Sequence, residues 1–249
     1  MWVYSLCLNP PSYENAMPQP FRIPRSPHRW QVSPRRAIEI QRAMAERVIA
    51  RSSPKTYRYV AGTDLAFANN GSVCIAGVVV WDIADKCVVE QHTARRPVTF
   101  PYVPGLLSFR EAPALLAVLR KLRKKPDAVI CDGQGLAHPR RFGLACHVGV
   151  IIDLPTIGCA KSRLTGTHRD PGPARGSRTA LHDGEQQLGV VLRTRTGVKP
   201  VYVSIGHRID VASAARLVLA CTTRYRLPEP TRLADQLVGA AGRAARAAD

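Results

Sequence analysis

Three apolar runs joined by two tight turns constrain this chain more than any other feature. Residues 57–67 (YRYVAGTDLAF), 72–81 (SVCIAGVVVW) and 87–97 are each long enough for a strand. Asn69-Asn70-Gly71 separates the first two, and Ala84-Asp85-Lys86 separates the second from the third. Asn and Gly accept the positive φ that a tight hairpin demands, so this spacing predicts three consecutive antiparallel strands. The middle run is apolar almost throughout, which predicts a strand covered on both faces.

The rest of the chain alternates helix and strand signals. Pro34 after Ser33 predicts a helix opening there, with proline at its first position, and reaching about residue 49. Leu115, Leu116, Leu119 and Leu122 recur at helical spacing within 109–125, and Pro126 closes that helix. The short runs 127–132 (DAVICD) and 154–160 (LPTIGCA) read as strands, with a helix over 139–151 between them. Residues 167–185 read as a polar, basic loop. A strand pair follows at 188–195 and 201–205, then a helix over 209–222 that Asp210 caps. The predicted fold class is α/β. Its element order is that of a ribonuclease-H-like fold, a central mixed sheet in which three antiparallel strands are followed by parallel ones, flanked by helices. Residues 1–33 are proline-rich and pattern-poor, and a poorly ordered tail is expected there. Residues 34–228 carry the folded domain, and 229–249 read as an Ala/Arg-rich, frayed helical tail.

Charge narrows the partner. The chain has 36 Lys+Arg against 18 Asp+Glu, a formal net charge of +18. Such an excess attracts polyanions, and nucleic-acid phosphates release counterions on contact. No apolar run approaches the roughly 20 residues of a spanning helix, and the N-terminus lacks a positive flank before an apolar stretch. A membrane partner and a secretory signal are therefore not expected, and a cytoplasmic location is. The seven cysteines are scattered without a CxxC pair, which predicts buried free thiols rather than zinc. A monomer is expected.

In so basic a chain, acids that end apolar runs need explaining. Asp64 lies inside the first strand, where an unpaired charge is costly. Asp132 ends the fourth strand, and Glu111 falls in the first predicted turn of the helix between them. The layout makes the first and fourth strands neighbours and brings the three carboxylates together. Three such groups repel unless a cation neutralises them, and hard oxygen donors select Mg²⁺ or Mn²⁺. Such an ion activates water and stabilises charge on a cleaved phosphate. Plainer readings stay open at this point. Ser108 and Glu111 form an S-x-x-E capping box, and Asp132 precedes a glycine as turn residues do.

The strings GTDLAF, TFPYVPGLLSFREAPALL, DGQGLAHPRRFGLACHVG, DLPTIGCAKSRLTG and VSIGHRI, in this order, resemble the endonuclease V family over about residues 34–228. The resemblance implies a ribonuclease-H-like, Mg²⁺-dependent nuclease. Such enzymes nick at the second phosphodiester bond 3′ to deoxyinosine in DNA, or to inosine in RNA for some members. It implies that Asp64, Glu111 and Asp132 hold the metal and that His207 is a fourth active-site residue. It also implies that Tyr102 is a wedge between the strands, that Lys161 sits near the scissile phosphate, and that Gly133, Gly135 and His138 line the base pocket. The physical chemistry agrees. An aromatic between Pro101 and Pro104 fills the gap left by an unstacked base, glycines let backbone approach a flipped base, and a histidine near bound water moves protons. Each also has a bland reading, as a loop aromatic, an ordinary turn, a solvated lysine or an unremarkable histidine. One departure stands out: the third position of DGxG, usually His or Asn in the family, is Gln134. Arg140, Arg141 and Arg163 add cations beside the groove. The competing readings are another nuclease of the same fold, cutting flaps or junctions, and a non-catalytic nucleic-acid-binding module. The acid triplet argues against the module, and the PYVP and DGQG strings argue against the flap or junction nuclease.

Overall fold

The computed structural model describes residues 21–52 and 56–247. The first three strands are β1 (Tyr59–Ala68), β2 (Val73–Asp82) and β3 (Cys87–Pro97), antiparallel as expected. The Asn-Asn-Gly turn reverses the chain through left-handed backbone at Asn69 and Asn70, with φ near +50°. Then come α2 (Leu107–Leu119), β4 (Ala128–Cys131), α3 (Leu144–Ile152) and β5 (Thr156–Ala160), after an opening helix α1 (Pro34–Ala45). β6 (Arg178–Asp183), β7 (Gln186–Leu192), β8 (Val201–His207), α4 (Val211–Ala220) and α5 (Glu229–Ala247) complete the chain. One eight-stranded sheet runs β3-β2-β1-β4-β5-β8-β7-β6. β4 lies parallel to β1, and β5 to β4, while β8, β7 and β6 return antiparallel.

Strand β2 shows how the layers form. Successive side chains of a strand point to opposite faces. Its even positions, Cys74, Ala76, Val78 and Val80, join the main core with Leu115, Leu116 and Leu119 of α2. Its odd positions, Ile75, Val79 and Trp81, meet Ala234 and Val238 of α5 instead. Two-sided burial thus explains the unbroken apolar run.

Several expectations need correction. The segment after Pro228 is no frayed tail. α5 packs on β1 and β2, because Ala234 and Val238 recur on one helical face and are fully buried. Residues 21–33 also pack against the domain, whereas residues 1–20 of the expected tail lie outside the described residues. Phe21 is buried, and His28 and Trp30 stack on Phe109 and His147. The basic loop 167–185 contains β6, whose register against β7 pairs Leu181 with Gly189. α3 begins at Leu144, not at Pro139. Asp210 accepts from Ser213 N and caps α4 as predicted, and α1 opens with proline at its first position as predicted, with Ser33 accepting from Arg36 N. Five cysteines are buried free thiols, and Cys87 is disulfide-bonded. Among the described residues no helix is long and apolar enough to cross a membrane.

Candidate active site

Strand register brings the first two acids together. Thr63 of β1 pairs with Cys131 of β4, so Asp64 and Asp132 leave that pairing side by side. The Asp132 amide donates to Thr63 O at 3.4 Å, and the two carboxyls stand within hydrogen-bonding reach. Glu111 approaches from α2 and interacts with both through charge. It lies in the second turn of α2, not the first. Ser108 lies inside the helix, too late to cap it, and its hydroxyl meets His147 Nδ1 at 2.9 Å. The capping-box reading therefore fails.

Crowding sets the electrostatics. Burial, then the charge of Asp132, pushes Asp64 up to about 7. Burial, then the charges of Asp132 and Asp64, pushes Glu111 up to about 8. Lys161 follows β5 and donates to Asp132 Oδ2 at 2.6 Å. Burial alone would lower the Lys161 ammonium, but the bond to Asp132 raises it.

A fourth acid went unread in the sequence. Asp235, exposed on α5, adds its charge to Asp64 and to Lys161. Its signal was the amphipathic spacing of Leu233, Ala234, Leu237 and Val238, which marks α5 as a docked helix and not a tail.

As they stand, no three His, Cys, Asp or Glu side chains among the described residues are spaced as a closed metal cage. Lys161 occupies one oxygen of Asp132. The donor set nonetheless fits a hard divalent cation. It is all-oxygen, and two of its members are raised by burial and then by neighbouring carboxylate charge, a crowding that a divalent cation would relieve.

A cavity of about 310 Å³ adjoins the acids, lined by Glu111, Asp132, Gly133, Gln134, His138 and Tyr102, with others. Its rim is apolar and exposed: Tyr102 is 71% exposed, Leu107 40% and Leu164 53%. The Tyr102 loop is pinned from behind. Gly105 O accepts from Gln41 Nε2 (3.0 Å), His138 Nε2 (3.0 Å) and Arg140 Nη2 (2.5 Å). Arg140 N donates to His138 Nδ1, so the His138 proton sits on Nε2. Burial, then the charge of Arg140, pushes His138 down to about 4, and the ring is neutral at pH 7.

The remaining expected residues divide. Gly133 lines the cavity. Gly135 does not belong with it. Its amide already donates to Ser204 Oγ at 2.8 Å, and a Cβ there would lie 1.9 Å from Ile205 O. Its lack of a side chain serves packing against β8. Gln134 donates from Nε2 to Ser162 O at 3.0 Å, while its Oε1 is buried without a partner. Arg163 lines the cavity, whereas Arg141 is spent on Asp183 and Gln186. His207 sits elsewhere. It pairs with Thr156, at the start of β5, whereas Asp132 follows the residue that pairs with Gly158. The antiparallel return of β8 thus carries it to the opposite end of the sheet. There its Nδ1 accepts from Ile49 N and its Nε2 meets Asp153 Oδ1, each at 3.2 Å.

Comparison with known proteins places this arrangement. The family model described as endonuclease V matches residues 42–236. The chain is 53% identical over 208 residues to the endonuclease V of Roseiflexus sp. (strain RS-1), covering 84% of this chain and 93% of the relative. The solved endonuclease V of Streptomyces avermitilis is similar in fold, with a TM-score of 0.83 and 46% identity, covering 87% of this chain and 96% of that one. An endonuclease V of Ciona intestinalis, solved with a 23mer DNA containing an inosine followed by a ribo-adenosine, gives a TM-score of 0.72 and 25% identity, covering 85% and 99%.

Proposed function

The chain belongs to the endonuclease V family, a family of nucleases, and from that premise we propose that it is a Mg²⁺-dependent endonuclease acting on deoxyinosine in DNA. It hydrolyses the second phosphodiester bond 3′ to the lesion and so initiates repair of deaminated adenine. One observation carries the reading: a base-sized cavity and the acid cluster share walls at Glu111 and Asp132. A base held in the first leaves its own strand's phosphates within reach of the second.

Asp64, Asp132 and Glu111 hold the ion, and exposed Asp235 completes the set from α5. Mg²⁺, or Mn²⁺ in its place, supplies charge neutralisation, an activated water and stabilisation of the phosphate's developing charge. Lys161 exchanges its bond to Asp132 for one to a phosphate oxygen. Tyr102 stands in the strand gap when the base flips out. Gly133 brings bare backbone to the base edge, and Gln134 holds the 161–164 turn closed over it. Neutral His138 acts as a positioning residue, holding the Tyr102 loop through Gly105 O. His207 takes a structural part at the far end of the sheet.

Inosine-containing RNA is the second substrate, favoured by the Ciona complex, in which a ribonucleotide follows the inosine. A strand with one deoxyinosine, in Mg²⁺, should be nicked at a fixed 3′ offset while its adenine control stays whole. Asp64→Ala and Asp132→Ala should bind it without cutting. Equal cutting of both strands would remove the lesion reading, and paired DNA and RNA inosine strands would rank the substrates.

A further inference from the structure

Away from the candidate active site lies an open cleft of about 610 Å³ whose walls carry Arg25, Arg29, Arg96 and Arg120, with Trp30 and Thr99. No acid lines it. Arg96 comes from β3 and Arg120 from the end of α2. Arg25 and Arg29 come from the segment before α1, which precedes the matched family span beginning at residue 42. Among the described residues none of the four forms an ion pair with a carboxylate. Burial, then the like charge of Arg96, lowers the Arg120 guanidinium. Four cations gathered without a counter-ion are costly unless an anion joins them.

The segment that supplies two of them is built in, not draped. His28 Nε2 meets His147 Nε2 at 2.7 Å, and Trp30 sits edge-on to Phe109. Phe21 is buried, and Arg120 Nη2 donates to Pro24 O at 3.1 Å. These contacts fix the backbone on either side of Arg25 and Arg29 while leaving both side chains exposed.

We propose that this cleft is a second phosphate-binding surface, which grips the backbone of the nucleic acid flanking the lesion. The proposal rests on the function proposed above for its partner class. Continuity selects that partner over a lipid surface or a free polyphosphate. Thr99 lines the cleft, and Tyr102, three residues on, lines the base cavity. Three residues span at most ~11 Å, about three nucleotides of rise along one strand. A duplex seated at Tyr102 therefore reaches the edge of the cleft at Thr99 within about three nucleotides of the flipped base, and the arginines that line the cleft with Thr99 take the phosphates that follow.

The test uses the full chain and two inosine duplexes. One extends well beyond the lesion on both sides, and the other ends within about three base pairs of it. Arg25→Ala/Arg29→Ala and Arg96→Ala/Arg120→Ala should each weaken binding of the long duplex about tenfold and leave the short one unchanged. Each lost phosphate contact should lower the slope of log K against log salt by about 0.9. Single-turnover cleavage at saturating enzyme should stay at the parent rate for both variants, and the melting temperature should be unmoved for Arg25→Ala/Arg29→Ala, whereas Arg96→Ala/Arg120→Ala also loses the bond to Pro24 O. Parent affinity and salt slope on the long duplex would overturn the proposal. So would equal losses on both duplexes, or a loss seen only with anionic vesicles. Long and short adenine-control duplexes read the arginines even if no inosine strand is cut, so failure of the proposed function is told apart.

Discussion

Lys161 donates to Oδ2 of Asp132 across 2.6 Å, so a cation of the chain's own already occupies the acid cluster. An incoming ion competes with it for that oxygen, and a phosphate competes with Asp132 for the ammonium. Lys161→Met removes both contests at once. The Mg²⁺ midpoint for cleavage should move to lower concentration, while KM for the inosine strand should rise about tenfold, in line with loss of a charge-assisted hydrogen bond. Mg²⁺ titration of initial rates reads both. A midpoint that moves upward would show that Lys161 helps the ion and does not exclude it.

The crowded carboxylates also predict a pH dependence. Asp64 and Glu111, held up at about 7 and about 8, bind protons in the folded chain that the unfolded chain has released. Their contribution to stability is thus fully present below their unfolded values of about 4 and is lost as pH rises through 7 and 8. The neutral histidines, His28, His138, His147 and His207, all lowered first by burial, slope the other way, but only below about 6.5. Above that value the acids act alone. The melting temperature of the EDTA-treated protein should fall between about pH 6.5 and 8.5 and recover on adding Mg²⁺. Asp64→Asn should flatten that slope. A metal-free melting temperature that climbs over this interval would contradict the crowding.

Much of this was legible because local chemistry and tertiary role coincide. The Asn69-Asn70-Gly71 turn and the two-sided apolar run of β2 need only backbone sterics and burial to be read. Register then followed from topology, and parallel β1 and β4 put Asp64 beside Asp132 as expected. The misses came where composition spoke louder than spacing or where contacts are remote. α5 is Ala/Arg-rich, and the small residues it sets against Ile75, Val79 and Trp81 show as an apolar face only at helical spacing. Asp235 was lost with it. His207 was misplaced because β8 runs antiparallel, which reverses the end at which its last residue lands. Gly135 looked like a ligand-facing glycine, yet the backbone it must avoid is Ile205.

Asp235 is exposed, so replacing it costs the fold little. Its charge nonetheless reaches Asp64 and Lys161. Asp235→Asn should leave the unfolding free energy within about 1 kcal/mol of the parent's while lowering kcat or metal affinity by about 10–100-fold. Raising Mg²⁺ should recover part of the loss. His207→Ala should do the converse. It strips partners from Ile49 N and Asp153, costing about 1–3 kcal/mol, with cleavage by the folded fraction preserved. If His207→Ala abolishes cleavage at full stability, the far-end assignment fails.

The loop that presents Tyr102 separates recognition from rigidity. Tyr102 itself is 71% exposed and holds nothing in place. Tyr102→Ala should therefore keep the parent melting temperature while eroding the preference for inosine over adenine strands, seen as a higher KM at similar kcat. Gly105 is different. Its φ is +76°, and an added Cβ would sit 2.6 Å from Arg140 Nη2, which itself donates to Gly105 O. Gly105→Ala strains the backbone by about 1–3 kcal/mol and pushes Arg140 off its acceptor. Gln41 and His138 then lose the geometry of their bonds to the same oxygen. That variant should melt earlier and also lose discrimination, because the aromatic tip is no longer held still. His138→Asn, which keeps a donor near Gly105 O, should restore more discrimination than His138→Ala. Equal discrimination in the parent and Gly105→Ala would mean that the pinned loop contributes stability alone.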